Sequence, residues 1–222
     1  MVSAGEDPLA ARVDYTVPGL GDDEVSSDPL TQFTLWLHQA ADAGAPEPNA
    51  MALATCGVTG PAVRVVLAKS VDSSGVSFYT NLESDKARDI AHDPRVAAVF
   101  SWLPLHRQVR FTGTAALVDR ATADAYHRTR PRGAQIGAWA SPQSRPLTSR
   151  QELAAMVTDV DERFPGDVPL PDHWGGFRIQ PVRVEFWQGQ PSRLHDRLRF
   201  EARRPDAPLD DPGSWRIARL AP

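Results

Sequence analysis

From Ala50 to Leu117 short apolar runs alternate with turn-forming clusters, Gly57 to Pro61 and Asp72-Ser73-Ser74-Gly75 among them, and this rhythm constrains the fold more than any other feature. Apolar runs bounded by Gly, Pro, Asp and Ser are the mark of antiparallel strands joined one after another. The spacing predicts about three or four strands here, with a short helix after Ser84. From Trp174 the β pattern resumes: Val182, Val184 and Phe186 alternate with Arg183, Glu185 and Trp187, and a last strand is expected around Trp215 to Leu220. About six to eight strands with few helices point to a mainly β (α+β) protein built on a closed or split antiparallel barrel.

The helices are signalled separately. Asp28 is a good N-cap, Pro29 suits the first helical position, and Leu30, Phe33, Trp36, Leu37 and Ala40 form one apolar stripe ending near Gly44. Thr122 to Thr129 and Ser149 to Phe164 have helical composition and are expected to pack over the sheet. Residues 1–27, rich in Gly, Asp, Ser and Pro, read as a mobile N-terminal arm. Residues 28–222 read as one domain, since 222 residues with 41% hydrophobic content suffice for a single core.

A formal charge of −4 gives no general electrostatic case for nucleic acid or an anionic membrane, so any anion site must be local. No apolar run reaches the roughly 18 residues of a membrane helix, and no basic region followed by an apolar stretch opens the chain, so a soluble cytoplasmic protein is the expectation. Cys56, the one cysteine, lies in an apolar run and is expected to be a buried small residue without chemistry. Of 24 basic residues only Lys69 and Lys86 are lysines. In a chain that otherwise uses Arg, a retained Lys suggests that a compact ammonium is needed.

The run Trp187-Gln188-Gly189-Gln190-Pro191-Ser192-Arg193-Leu194-His195-Asp196-Arg197 carries the densest chemistry. If it is extended, Arg193, His195 and Arg197 share one face, with Leu194 and Leu198 on the other. Arg offers planar donors to phosphate or carboxylate, and His a proton-active group near neutral pH, which suits an anionic aromatic ligand beside a Trp. A charged face of an edge strand accounts for the same alternation.

Glu185-Phe186-Trp187-Gln188-Gly189 followed by Arg193-Leu194-His195-Asp196-Arg197 resembles the C-terminal signature of the pyridoxine (pyridoxamine) 5′-phosphate oxidases, FMN enzymes that make pyridoxal 5′-phosphate. The resemblance extends in order through Asp28-Pro29-Leu30, Arg64 to Lys69, Phe78-Tyr79-Thr80-Asn81, Arg107-Gln108-Val109, Arg130-Pro131-Arg132, Gln135-Ile136-Gly137-Ala138-Trp139, Trp174-Gly175-Gly176-Phe177 and Arg219-Leu220-Ala221-Pro222. About the first 25 residues and about 201–213 fall outside it. It implies the FMN-binding split barrel, working as a homodimer with FMN at the subunit interface.

The resemblance carries FMN contacts onto Arg64, Val65, Val66, Leu67, Lys69, Tyr79, Thr80, Ser84, Lys86, Gln108, Gln143, Ser144, Trp187 and Arg197. Ser84 also precedes the helix expected over Lys86 to Ala91, where free N–H groups and the helix dipole suit a phosphate; an ordinary capped surface helix explains the same residues. Five residues separate Arg64 from Lys69, so strict alternation would put them on opposite faces unless a bulge or a second ligand intervenes. Substrate contacts fall on Lys69, Tyr126, Arg130, Arg193 and His195, with Arg193 and His195 in the catalytic roles: Lys69, Tyr126 and Arg130 for the phosphate, Arg193 and His195 around the pyridine ring. Arg12 and Tyr15 correspond loosely to an N-terminal lid.

Two departures stand out. Asp85 occupies a position where the family often has Arg, so it either points to solvent or weakens FMN binding; Ala134 replaces a Ser for the substrate phosphate, a loss of about 1 kcal/mol that a water could cover. The implied reaction oxidises pyridoxine or pyridoxamine 5′-phosphate at the 4′ carbon by hydride transfer to flavin N5, with O₂ as final acceptor and H₂O₂ as product. Two other functions stay open: a related split-barrel oxidase acting on another aromatic such as a phenazine precursor, and a non-catalytic protein that carries FMN or pyridoxal phosphate.

Overall fold

The computed structural model describes residue 9, residues 14–15 and residues 17–222. Nine strands in these residues form one antiparallel sheet in the order β2-β1-β5-β6-β7-β4-β3, with β8 on β7 and β9 on β8. Their ranges are β1 Ala50–Gly57, β2 Gly60–Leu67, β3 Ser70–Asp72, β4 Gly75–Asn81, β5 Arg95–Trp102, β6 Arg107–Leu117, β7 Trp174–Gln188, β8 Asp196–Ala202 and β9 Trp215–Leu220. Five helices accompany them: α1 Pro29–Asp42, α2 Asp85–His92, α3 Arg120–Thr129, α4 Arg132–Ala140 and α5 Arg150–Arg163.

The long strand β7 explains the split. One of its edges pairs with β6 from Phe177 to Gln188. Its other edge is shared: Trp174 to Ile179 pair with β4, and Arg183 to Gln188 pair with β8. The changeover coincides with a bulge, where Gly113 faces Pro181 and Thr112 faces Arg183, leaving Val182 as the extra residue. A Cβ on Gly113 would sit 2.0 Å from the Gln180 carbonyl oxygen, so the approach of the strands requires glycine there. The bulge also breaks the expected alternation: Val184 and Phe186 are fully buried, whereas Val182 is 39% exposed.

Helix α1 closes the core. The Asp28 carboxylate accepts from Thr31 N at 2.8 Å, and Phe33 packs edge-on against Phe100 and Phe111, with Trp36 against Phe186. A second, smaller cluster of Ala123, Ala138, Leu170 and Trp174 joins α3 and α4 to the start of β7.

Several expectations need correction. Helix α4, Arg132–Ala140, is not among the helices expected from the sequence. Helix α5 buries none of its side chains and packs against α4 rather than over the sheet. Cys56 is exposed, because it faces outward at the β1–β2 turn opposite Pro61. Arg12 lies outside the described residues. Downstream of it, Leu20 N donates to the Asp196 carboxylate and Gln190 donates to the Pro18 carbonyl, so residues 18–20 are fastened to the C-terminal strands. No helix among the described residues is long and apolar enough to cross a membrane.

Candidate active site

At the mouth between β4 and α2 the Lys86 ammonium donates to three oxygens: Thr80 Oγ1 at 3.1 Å, Ser84 Oγ at 3.2 Å and Gln143 Oε1 at 2.7 Å. All three acceptors are uncharged. Burial pushes the Lys86 pKa down and the Arg64 charge pushes it the same way, with Asp85 opposing. Ser84 is fully buried and is the N-cap of α2, yet its side chain caps no helical N–H; it serves Lys86 instead. Ser144 accepts from Asp85 N at 3.2 Å, with its own backbone in the left-handed region at φ 68°. Arg64 is held by Thr55 Oγ1 at 2.6 Å and by Asp89 at 3.4 Å. The cluster brings together two cations, the hydroxyls of Thr80, Ser84 and Ser144, and a helix start whose N-cap side chain caps no N–H, a donor set that fits a phosphate.

Arg64 and Lys69 do not belong to one regular strand. β2 stops at Leu67, Ala68 is buried, and Lys69 N donates to the Ser77 carbonyl at 2.8 Å as the chain enters β3. The strand is interrupted, so the conflict of faces disappears without a bulge in β2. Val65 is 68% exposed, while Val66 and Leu67 are half-buried.

The Tyr79 ring stacks on Tyr126 at 3.9 Å and lies nearly parallel to Trp174 at 5.8 Å. Tyr126 and Arg130 stand one helical turn apart at the end of α3, and the Arg130 guanidinium lies 4.5 Å above the Trp174 ring. Arg130 Nη1 is buried and has no hydrogen-bond partner among the described residues. Burial raises the Tyr126 pKa and lowers that of Arg130. Consecutive residues Tyr79 and Thr80 thus connect two cationic places, Arg130 with Tyr126 and Lys86 with Arg64.

The other predicted residues gather elsewhere. Gln108, Trp187 and Arg197 are direct cross-strand neighbours on β6, β7 and β8. Arg197 donates to Glu185 Oε1 at 2.9 Å and to the Ala221 carbonyl at 3.0 Å. Glu185 is buried between Arg197 and Arg110. The His195 ring lies 4.6 Å from Trp187 and 5.8 Å from Tyr15, and Tyr15 packs at 4.3 Å on His106. His195 Nδ1 accepts from Gln190 N at 3.0 Å, and burial followed by the Arg193 charge lowers the His195 pKa.

Arg193 does not share an extended face with His195 and Arg197. Pro191–Arg193 form a turn in which Ser192 and Arg193 both take left-handed backbone, φ 55° and 64°, and β8 begins only at Asp196. Leu194 is accordingly 70% exposed, while Leu198 is buried. Neighbouring non-glycine residues with positive φ store strain, which concentrates at ligand sites.

The two groups lie at opposite ends of β7. Thr80 faces Gly175 at its start, and Gln108 faces Trp187 twelve residues on, roughly 40 Å of strand if it ran straight. One chain therefore divides the residues expected to contact substrate between two places: Lys69, Tyr126 and Arg130 at one end of β7, Arg193 and His195 at the other.

Sequence reasoning missed the residues that hold the predicted ones. Asp89 and Thr55 hold Arg64, Glu185 holds Arg197, Gln190 fixes His195, and Trp174 floors Arg130. These contacts join residues up to 44 positions apart, as in Arg130 with Trp174, and leave no local signal.

Residues 37–164 match the pyridoxamine 5′-phosphate oxidase family, and residues 174–222 match the pyridoxine 5′-phosphate oxidase C-terminal dimerisation region. The pyridoxine/pyridoxamine 5′-phosphate oxidase of Kineococcus radiotolerans is 48% identical, with 98% of this chain and 100% of that protein aligned. The protein of the same name from Streptomyces avermitilis is 49% identical over 97% of this chain and 96% of its own length. Among solved structures, PhzG from Burkholderia lata in complex with tetrahydrophenazine-1-carboxylic acid superposes with a TM-score of 0.83 at 29% identity, covering 95% of this chain and 100% of that one. The chain belongs to the pyridoxine/pyridoxamine 5′-phosphate oxidase family, whose members are flavoprotein oxidoreductases of vitamin B6 biosynthesis.

Proposed function

We propose that this chain oxidises pyridoxine 5′-phosphate or pyridoxamine 5′-phosphate to pyridoxal 5′-phosphate as an FMN-dependent homodimer. The observation that carries the reading is the pair of cationic places joined by Tyr79-Thr80, since both the cofactor and the substrate of this reaction end in a phosphate. Lys86, with only neutral acceptors and Arg64 close enough to depress its pKa, calls for an anion, and Thr80, Ser84, Gln143 and Ser144 stand around it as further phosphate partners. Arg130, with a buried Nη1 beside Tyr126 that has no partner among the described residues, is the candidate for the substrate phosphate, with Lys69, tied to Ser77 of the strand that carries Tyr79, as a second cation for it.

A single chain divides these residues from Gln108, Trp187, Arg193, His195 and Arg197 by the length of β7, so a second copy completes each site. The match of residues 174–222 to a dimerisation region supports that arrangement. FMN, when bound, supplies a hydride acceptor at N5 and a route for the electrons to O₂, releasing H₂O₂. The chain's own residues orient and protect. Arg193, on its strained turn, covers and aligns the substrate ring. His195, held at Nδ1 by the Gln190 backbone N–H, presents Nε2–H as a donor towards the reactive side of the substrate. Trp187 walls the ring of the cofactor, and Arg197, steadied by Glu185, contributes positive charge there.

The relative named for phenazine chemistry is less similar than those named for vitamin B6, at 29% against 48% identity, and an unphosphorylated phenazine precursor would leave Arg130 unused. The test is an aerobic assay of the protein with added FMN and pyridoxine 5′-phosphate, following pyridoxal 5′-phosphate by absorbance and H₂O₂ by a coupled peroxidase. Both products are expected in equal amounts; FMN binding without either product would remove the substrate assignment.

A further inference from the structure

Asp85 stands beside Lys86 at the first position of α2, where a carboxylate competes with a bound phosphate for the helix dipole and for Lys86. Its charge reaches Lys86, whose pKa it raises. Yet the carboxylate is not bonded to Lys86. It pairs with Arg88 one turn along the helix, and Arg88 also donates to the Glu83 carbonyl, so that one guanidinium clasps both sides of Ser84. On an α-helix, positions 86 and 88 point about 200° apart, so Arg88 draws the carboxylate towards the flank away from Lys86. The Asp85 backbone N–H meanwhile donates to Ser144 on the loop that brings Gln143 to Lys86.

We propose that Arg88 is a positioning residue for cofactor binding: by holding the Asp85 carboxylate and the Glu83 carbonyl, it keeps the negative charge of Asp85 off the phosphate place at Lys86. The inference rests on the reading of Lys86 as part of the cofactor-phosphate site. Arg88 does not touch the phosphate; it acts through Asp85. In chemical terms the chain tolerates an acid where an attractive charge would serve better because a neighbouring guanidinium, one turn away, draws it aside and offsets part of its charge.

The test is a double-mutant cycle read as the dissociation constant of FMN, from quenching of flavin fluorescence, at low and high salt. Arg88→Ala is expected to weaken FMN binding about three- to tenfold at low salt, and less at high salt, as expected for an exposed charge several ångströms from the phosphate. Asp85→Asn combined with Arg88→Ala is expected to restore wild-type affinity or better, and Arg88→Lys to fall between. Equal weakening by Arg88→Ala with Asp85 intact and in the Asp85→Asn background would show that Arg88 acts by its own charge and overturn the proposal, as would an unchanged constant. Lys86→Met separates the two levels. If it abolishes tight binding while Arg88→Ala does nothing, only the role of Arg88 falls; if it changes nothing, the phosphate site itself is misassigned and the proposal falls with it. Far-ultraviolet circular dichroism of each variant checks that α2 remains folded.

Discussion

The Gln190 backbone N–H donates to His195 Nδ1 at 3.0 Å. That one bond fixes the tautomer: neutral His195 carries its proton on Nε2, and protonating Nδ1 breaks the bond. Burial, then the Arg193 charge, disfavour the imidazolium, so His195 titrates below the usual histidine range. Nitrogen-detected NMR is expected to report the Nε2–H form at neutral pH and a midpoint below 6.5, with Arg193→Ala moving the midpoint up. A midpoint above 6.5, or an Nδ1–H tautomer, would contradict the account.

Arg130→Ala removes a buried guanidinium whose Nη1 has no protein partner among the described residues. The expected consequence is a rise in KM for pyridoxine 5′-phosphate of about ten- to a hundredfold, the worth of a hydrogen bond to a charged group. FMN affinity should stay near wild type, because the residues proposed for the FMN phosphate cluster on Lys86. A loss of FMN with no change in KM would reverse the assignment of the two phosphates.

Arg193→Ala should lose most turnover while FMN remains bound, since Arg193 is exposed on a turn outside the sheet. Steady-state kinetics with the flavin content of the purified variant checks this. Full activity would remove Arg193 from the reaction.

His127 is fully buried under Trp174, with Nε2 on the Val168 carbonyl and Nδ1 unpartnered among the described residues. Burial lowers its pKa, with the charge of Arg130 adding to the effect. The unfolded chain therefore binds a proton that the folded chain rejects, and stability rises with pH through that window. Its contribution is complete above about pH 6.5 and is lost progressively below it. Chemical denaturation between about pH 8 and pH 5, the range in which a histidine titrates, should show a steeper loss for wild type than for His127→Gln; parallel profiles would mean that His127 stays protonated or accessible.

Much of the fold was legible because strands and turns are local signals. The meander from Ala50, the α1 stripe behind Asp28-Pro29, and the final strand at Trp215 all follow from periods of two and 3.6 with turn residues between them. The bulge at Val182 was not legible, since it depends on Gly113 and Pro181 meeting from strands far apart in sequence. For the same reason the alternation of Arg193, His195 and Arg197 suggested a strand face, and the structure instead makes a strained turn before β8. Resemblance named the expected site residues, but not that they divide between the two ends of β7. That division is a property of strand length and register, which emerges only once Thr80 is paired with Gly175 and Gln108 with Trp187.

The most direct test of a site shared between two copies is complementation of two defects, one in each half-site. Lys86→Met and Arg193→Ala chains are purified as inactive homodimers, mixed under conditions that exchange subunits, and assayed for pyridoxal 5′-phosphate formation. In a mixed dimer one site then takes both defects and the other takes neither, so random exchange should restore about one quarter of wild-type activity. If mixed dimers form, verified by differently tagged chains, and activity stays at zero, each chain builds its site alone and the account is wrong.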